Sequence, residues 1–536
     1  MSKVSDKLQQ RAQLIAILNK YRQATQIDNV QLNKDIEIIA NFENKSFVCK
    51  TLFQEITDPK TIYANICAII LLEAMEVEIF EKEALDCLQK NTTPDDKKFF
   101  IMSLIKQKGI EFNFKDVSAY IDTPEELAHN GVVDFLQNAI DDPEVQIDLL
   151  DFFINIPKEE KVYFLENLLT DFEGDNLANA FSILVQLELN KKEFEIVFDG
   201  LSNIDSPYSI EGLEYILQNK QLETKTKTKI KRTIKKLKEK YPDFSDDNFV
   251  KDTEVFKSYI SFVDGHSNFS LVLSRIGADK TLNALLATIN INNGVSSCMG
   301  FSKITIENFL SIIKRLFNDS MPVEINPTAL KSLFEYYYDK SKKNNIELPY
   351  ELIVWKKFLN NIRAINYDIS EFLNSKLEIT KLTEAKVKKF SSSKITETWY
   401  YSVGENKHVD NIIEEIEKRH TIDLDEINEI VSKSIDENFL SNNEFLKELQ
   451  SKLLIQSYVA SLAKLKITSA CAYSLCFKNP FLKSFITSSI DKSLYYAFST
   501  KLYELEEKNR FKKNKTTNFS KEELELMMSQ LEEKWN

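Results

Sequence analysis

The apolar positions of residues 1–245 recur at helical spacing and predict a series of amphipathic helices. Predicted helix pairs begin near residues 143, 175 and 208, so each repeat is a pair of helices. Because a lone pair cannot bury its apolar stripe, we expect each pair to stack against its neighbours. Two successive stripes comprise Val145, Leu149, Phe152, Phe153 and Ile156, and then Phe164, Leu165, Leu168 and Leu169.

Prolines mark the predicted starts of these helices. Proline at the first helical position loses no hydrogen bond, because the N–H that it lacks has no partner there. A preceding Asp, Thr or Ser can cap the free amides, and acidic residues in the first turn interact favourably with the helix dipole. The prolines concerned are Pro59, Pro94, Pro124, Pro143, Pro157 and Pro207.

The segment 142–146, Asp-Pro-Glu-Val-Gln, is followed by two pairs of apolar residues and has the form of a repeat opening. In this segment the sequence resembles the HEAT/armadillo class of α-solenoids, and the resemblance extends over roughly residues 40–240. Gln146 stands where that pattern often has arginine. The resemblance implies an N-terminal α-solenoid that acts as a binding scaffold, and it brings no catalytic residues with it.

Residues 253–305 change to alternating apolar and polar positions, which is the period of a β-strand. Turn-forming residues around Asp264-Gly265 and Asn293-Gly294 separate the alternating segments. We therefore expect a three- or four-stranded antiparallel meander. One of its faces should lie on helices, because a small isolated sheet is only marginally stable. Helical spacing resumes at Thr305.

The predicted fold is therefore mostly α: an N-terminal α-solenoid of stacked helix pairs, a small antiparallel β-meander and a helical C-terminal region. The predicted domains are residues 1–245, with HEAT-like helix pairs, 250–345, with the meander and packed helices, and 346–536, which is helical. Only 10 of the 536 residues are glycine, although average usage would give about 38. Open α/β enzymes need glycine-rich turns, so the composition disfavours that class.

The remaining composition indicates a folded protein in a reducing compartment. An apolar fraction of 43% and a charged fraction of 28% exclude disorder over the whole chain. The six cysteines include no Cys-x-x-Cys pair, which is typical of reduced thiols. The longest apolar run, residues 66–72, is far shorter than the roughly 20 residues that cross a bilayer. We therefore expect a cytoplasmic protein without a membrane span.

Residues 116–215 carry 23 acidic and 4 basic residues, although the net charge of the whole chain is only −13. Such a stretch repels phosphate backbones and can attract a basic protein partner. The simpler interpretation is a solvated outer face without a partner. The candidate partner-binding residues are Asp141, Asp142, Glu144, Asp148, Asp171, Glu173 and Asp175.

Residues 220–240 have the opposite character, with 10 basic and 2 acidic residues. Three interpretations remain open: a soluble last helix of the solenoid, intramolecular pairing with the acidic stretch, and contact with nucleic acid or another anionic surface. The segment offers almost no aromatic residues for base stacking. The candidate basic patch comprises Lys227, Lys231, Arg232, Lys235 and Lys238.

The sequence contains no established motif for catalysis, metal binding or nucleotide binding, so we expect no cofactor. One constellation, Asp264, His266 and Ser267 with Cys298, contains a Cys–His pair of the kind that can form a nucleophile. In an up-and-down meander, however, Cys298 lies about 13 Å from the turns. A polar turn and a separate buried cysteine are therefore the simpler interpretation.

Aromatic residues are a second candidate for a binding groove. Trp355, Trp399 and the run Tyr336–Tyr338 could line one, but their helical spacing favours the core. The sequence as a whole favours a non-enzymatic scaffold that binds a protein partner through a solenoid surface. The alternatives are a nucleic-acid-associated protein that uses residues 220–240, and an enzyme with its site in the β-containing region.

Overall fold

The computed structural model describes residues 3–24, 27, 29–90, 92–110, 120–121, 124–218, 222–242, 244, 249–317, 322–364, 369–477, 479–511 and 519–535. The chain divides into two compact units, Met1–Phe135 and Leu136–Asn536. The predicted domain boundaries near residues 245 and 345 fall within the second unit and stay predictions. Residues 116–119 and 122–123 of the acidic stretch, and residues 220–221 of the basic stretch, lie outside the described residues.

The first unit is built from helices that bury a shared apolar core. Asn44 and Thr61 cap two of these helices, each accepting a hydrogen bond from a backbone amide of the first turn. Phe53 and Phe80 are buried with their rings 5.3 Å apart. The helices are α1 (Lys3–Arg22), α2 (Asn29–Ala40), α3 (Lys45–Thr57), α4 (Ile62–Glu73), α5 (Val77–Leu88) and α6 (Asp95–Gln107), and α7 (Pro124–Asp141) contains the boundary between the units.

The second unit opens with an array of three helix pairs, which confirms the predicted pairing. The pairs begin at residues 143, 174 and 209, close to the predicted starts. Within the array α10 contacts α8 and α12, and α11 contacts α9 and α12, so each pair packs against the next. The helices are α8 (Pro143–Asn155), α9 (Lys158–Asp171), α10 (Gly174–Leu184), α11 (Lys191–Asn203), α12 (Ser209–Leu217) and α13 (Thr224–Lys240).

The predicted antiparallel meander is confirmed, and it carries one further short strand. The strand order is β4-β3-β2-β1-β5, and every neighbouring pair is antiparallel. The fifth strand has only two residues, too few to produce an alternating pattern in the sequence. The strands are β1 (Thr253–Ile260), β2 (Asn268–Gly277), β3 (Leu282–Asn290), β4 (Gly294–Ile304) and β5 (Val323–Glu324).

Helices cover both faces of the sheet, whereas the sequence predicted one covered face. On one face Phe309, Ile313 and Phe317 of α14 (Ile306–Phe317) pack against the sheet. The other face joins the main core, which includes α15 (Pro327–Lys343) and α16 (Leu352–Trp355). The buried Trp355 ring lies directly over Gly300 of β4, where a Cβ atom would come within 2.3 Å of the ring.

The C-terminal region is helical, as predicted, and shares the main core with the sheet. It also contains 3-10 helices at Lys356–Leu359 and Lys394–Thr396 and a π-helix at Ile435–Phe439. Its α-helices are α17 (Ile369–Asn374), α18 (Glu384–Ser391), α19 (Lys407–Arg419), α20 (Leu424–Ser434), α21 (Asn443–Leu462), α22 (Lys466–Leu475), α23 (Leu482–Phe511) and α24 (Lys521–Trp535). In the described part of the chain, no helix combines the length and apolar character needed to cross a membrane.

Candidate protein-docking surface

The α8–α9 helix pair presents a central part of the acidic stretch. Asp142 caps α8 by accepting a hydrogen bond from the amide of Glu144, and Pro143 occupies the first helical position. Leu149, Leu150 and Phe153 are buried and fix which side of α8 faces the protein. The cap and the proline therefore fix where α8 begins, and the buried residues determine which of its side chains point outward.

Two of the candidate partner-binding carboxylates hold the chain's own β4. Asp142 accepts a hydrogen bond from Ser302 Oγ at 2.9 Å and pairs with Lys303 Nζ at 3.0 Å. Glu144 accepts a hydrogen bond from the Ser302 amide at 2.6 Å. Burial alone would raise the pKa of Asp142, but hydrogen bonds from Lys303 and Ser302 outweigh it and lower that pKa. These two side chains therefore serve the fold.

The other candidate carboxylates are exposed, and one of them is engaged by a side chain of the same chain. Asp175 accepts a hydrogen bond from Ser206 Oγ at 2.6 Å. Asp148 is exposed, and its pKa is raised by partial burial first and then by the charges of nearby carboxylates. Asp141, Asp171 and Glu173 are also exposed. Of the seven predicted residues, Asp141, Asp148, Asp171 and Glu173 are thus open to a partner.

Large apolar side chains are exposed among these charges, and the sequence did not predict this. Tyr163 of α9 is 66% exposed and Phe152 of α8 is 54% exposed, and Leu169 is also exposed. The prediction that Phe152 and Leu169 belong to buried stripes is therefore wrong. Adjacent helical positions point about 100° apart, so burying Phe153 turns Phe152 outward, where its ring packs edge-on against Phe164 at 5.4 Å.

We call this region the α8–α9 surface, and it combines apolar and acidic side chains. Glu159, Tyr163 and Glu166 follow one another at helical spacing along the exposed face of α9. Lys192 of α11 pairs with Glu166 at 3.1 Å, and both side chains remain exposed. The surface is defined by Phe152, Glu159, Glu160, Tyr163, Glu166, Leu169 and Asp171.

The lysine-rich helix α13 closes the array at its other end. Ile230, Ile234 and Leu237 are buried, as the periodicity predicts. Lys238 pairs with Glu214 of α12 at 2.6 Å, and Lys240 pairs with Asp205. Glu214 and Asp205 belong to the acidic stretch, so these ion pairs are examples of the intramolecular pairing that the second interpretation of this helix predicts. The candidate residues Lys231, Arg232 and Lys235 are exposed, and Lys227 is partly exposed.

The polar turn between β1 and β2 does not bring a cysteine to its histidine. His266 is exposed, and its Nδ1 lies 3.4 Å from Oε1 of Glu405, whereas Cys298 is buried in the main core. Cys298 pairs in register with Ala287 of β3, which in turn pairs with Leu271, three residues along β2 from Asn268. Burial raises the pKa of the Cys298 thiol, which opposes formation of the thiolate that nucleophilic attack requires.

A buried lysine fastens this same turn. Lys452 Nζ donates a hydrogen bond to the Gly265 carbonyl at 2.7 Å and lies 4.3 Å from the centre of the Trp399 ring. Ser267, with a positive φ of 65°, donates a hydrogen bond to Glu448 at 2.9 Å. Burial lowers the pKa of Lys452 to about 8. The cavity beside these residues measures about 40 Å³, which suits a water molecule better than a substrate.

The aromatic candidates are mainly core residues. Trp355, Trp399 and Tyr337 are buried, while Tyr336 is exposed. Tyr338 lies between two lysine amines, Nζ of Lys342 at 4.4 Å and Nζ of Lys356 at 4.3 Å from its ring centre. Among the residues that the structure describes, no group of three or more His, Cys, Asp or Glu side chains could hold a metal ion.

Comparisons with protein families, with curated proteins and with solved structures find no match for this chain. The resemblance to the HEAT/armadillo class therefore stays a prediction from the sequence. The helical pairs of the N-terminal half are compatible with a solenoid.

Proposed function

We propose that the chain is a non-enzymatic scaffold that binds a protein partner through the α8–α9 surface. The observation that carries the proposal is the exposure of Phe152, Tyr163 and Leu169 on one helix pair. Water-exposed apolar patches with a polar rim are typical of docking sites, and aromatic residues contribute strongly to binding. Glu159 and Glu166, about one helical turn before and after Tyr163 on α9, provide polar groups of this kind.

Charge complementarity indicates the chemistry of the partner. Residues 141–175 contain 11 acidic and 2 basic residues. Asp142 and Asp175 are engaged within the chain, and Asp151 accepts a hydrogen bond from Tyr350. The exposed carboxylates of α9, together with Asp141, Asp148 and Glu173, are the ones open to a partner. A segment with lysine or arginine around apolar side chains fits this surface, because the carboxylates accelerate its approach and the apolar groups provide affinity.

The test is affinity capture of the full chain from its native cells with matched surface variants. Tyr163→Ser/Leu169→Ser removes apolar contacts, and Glu159→Lys/Glu160→Lys reverses charge. We expect both variants to lose at least 90% of a specifically captured protein, because each removes one component of the docking surface.

The control variant is Ile379→Ser/Val403→Ser, which removes two other exposed apolar side chains of the same unit. It should capture the partner as the unchanged protein does. Capture must also weaken as salt rises, because exposed charges are screened. The proposal is wrong if no captured protein is lost with Tyr163→Ser/Leu169→Ser and retained with the control variant.

A further inference from the structure

The first and last parts of the helix array carry opposite charges of similar size. Residues 141–175, which include α8 and α9, have 11 acidic and 2 basic residues. Helix α13, residues 224–240, has 9 basic residues and 1 acidic residue. Each end therefore presents the charge that the other end would attract.

The packing of the array keeps these two ends apart within one chain. Helix α9 contacts α11, α11 contacts α12, and α12 contacts α13, so the α10–α11 pair lies between the two charged ends. The ion pairs of α13 with neighbouring elements are local: Lys238 reaches Glu214 and Lys240 reaches Asp205. Lys231, Arg232 and Lys236 remain exposed. The acidic end of the same array is not positioned to neutralise them.

The basic end also offers a groove with apolar lining. It lies between α12 and α13, has a volume of about 440 Å³, and is lined by Leu217 and Ile234 with Lys231, Lys235 and Lys238 around them. Two carboxylates, of Glu214 and Glu239, also line it and pair with Lys238 and Lys235. The groove therefore has an apolar floor, and three lysines and two carboxylates form its border.

We propose that this groove binds the α8–α9 surface of a second copy of the chain, so that copies associate head to tail. The exposed Phe152, Tyr163 and Leu169 match the apolar lining, and the α9 carboxylates match the lysines. This inference rests on the proposed docking function of the α8–α9 surface and names its partner. The interface joins two different surfaces and is heterologous, so each copy keeps one free surface for the next.

Sedimentation velocity of the full chain tests the association. At about 50 mM salt, we expect the weight-average mass to rise with concentration to at least about twice the 62.2 kDa of one chain. At about 500 mM salt the chain should be monomeric, because the Debye length falls to a few ångströms. A chain that stays monomeric at low salt across the accessible concentrations would overturn the inference.

Charge-reversed variants identify the two surfaces. Glu159→Lys/Glu160→Lys/Asp171→Lys alters the acidic end, and Lys231→Glu/Arg232→Glu/Lys235→Glu alters the basic end. Each variant alone should be monomeric. Mixed together, the two variants share one intact interface, so association should return. Lys388→Glu/Lys389→Glu/Lys394→Glu, which reverses three other exposed lysines, should assemble as the unchanged chain does.

These outcomes separate the inference from the proposed function. Assembly that neither reversal affects, or a mixture that stays monomeric while the unchanged chain assembles, contradicts head-to-tail association. In either case, capture of a different basic protein that requires Tyr163 and Leu169 would leave the scaffold proposal standing. If capture does not require Tyr163 and Leu169, and assembly does not require the acidic end, the α8–α9 surface is not a docking site.

Discussion

Replacing Asp142 by alanine should destabilise the second unit, even though this residue belongs to an acidic stretch that resembles a solvated face. The change removes the cap of α8, which typically contributes about 1 kcal/mol. It also removes the hydrogen bond from Ser302, worth about 1 kcal/mol. The ion pair with Lys303 adds at most about 1 kcal/mol, because the lysine side chain is 57% exposed. We expect a total loss of about 2 to 3 kcal/mol.

Urea unfolding followed by tryptophan fluorescence is the appropriate assay. All three tryptophans, at positions 355, 399 and 535, belong to the unit that contains Asp142. Asp171→Ala is the matched control, because Asp171 is an exposed carboxylate at the end of α9. It should change stability by less than about 0.5 kcal/mol.

A double-mutant cycle with Lys303→Ala isolates the ion pair from the cap. Because the pKa of Asp142 is lowered, its ionised form stabilises the fold at pH values above the ordinary aspartate pKa. This contribution is lost as pH falls through the lowered pKa. A loss below about 1 kcal/mol, or a loss equal to that of Asp171→Ala, would refute the assignment of Asp142 to the fold.

Three further changes have expected outcomes. Gly300→Ala should cost about 1 to 3 kcal/mol in urea unfolding, because its Cβ would meet the buried Trp355 ring at 2.3 Å. Lys464→Gly should raise stability by about 1 kcal/mol in the same assay, because Lys464 has a positive φ of 63° after α21. Burial lowers the pKa of the Lys452 amine to about 8, so this amine releases its proton at a lower pH in the folded chain than in the unfolded chain. Unfolding free energy should therefore rise between about pH 8 and 10.5 by up to roughly 3 kcal/mol relative to Lys452→Met.

Local signals in the sequence predicted the elements of the fold well. Asp142-Pro143 marks a helix start that the structure places at α8, because capping depends only on neighbouring residues. The meander was predictable for the same reason, since alternation and turn residues lie within a few positions of one another. The two-residue strand β5 has no such local pattern and depends on pairing with β1.

The candidate site was predictable only in its overall charge. Glu144 bonds to an amide 158 residues away in the sequence, and no local pattern records such a contact. The exposure of Phe152 and Leu169 depends on how neighbouring helices pack, so helical spacing alone assigned them to buried stripes. The spatial relation between α13 and the acidic helices likewise follows from tertiary stacking.

Charge counts along this chain need to be interpreted together with burial, because several lysines are structural. Lys452 donates to the Gly265 carbonyl, and Lys492 donates to two backbone carbonyls at 2.6 and 2.8 Å. Such amines satisfy carbonyls near the ends of helices and strands, where a chain with only 10 glycines has few flexible positions. Burial lowers the pKa of Lys492, as of Lys452, to about 8. Most lysines of α13 are instead exposed, so the positive charge of that helix reaches solvent.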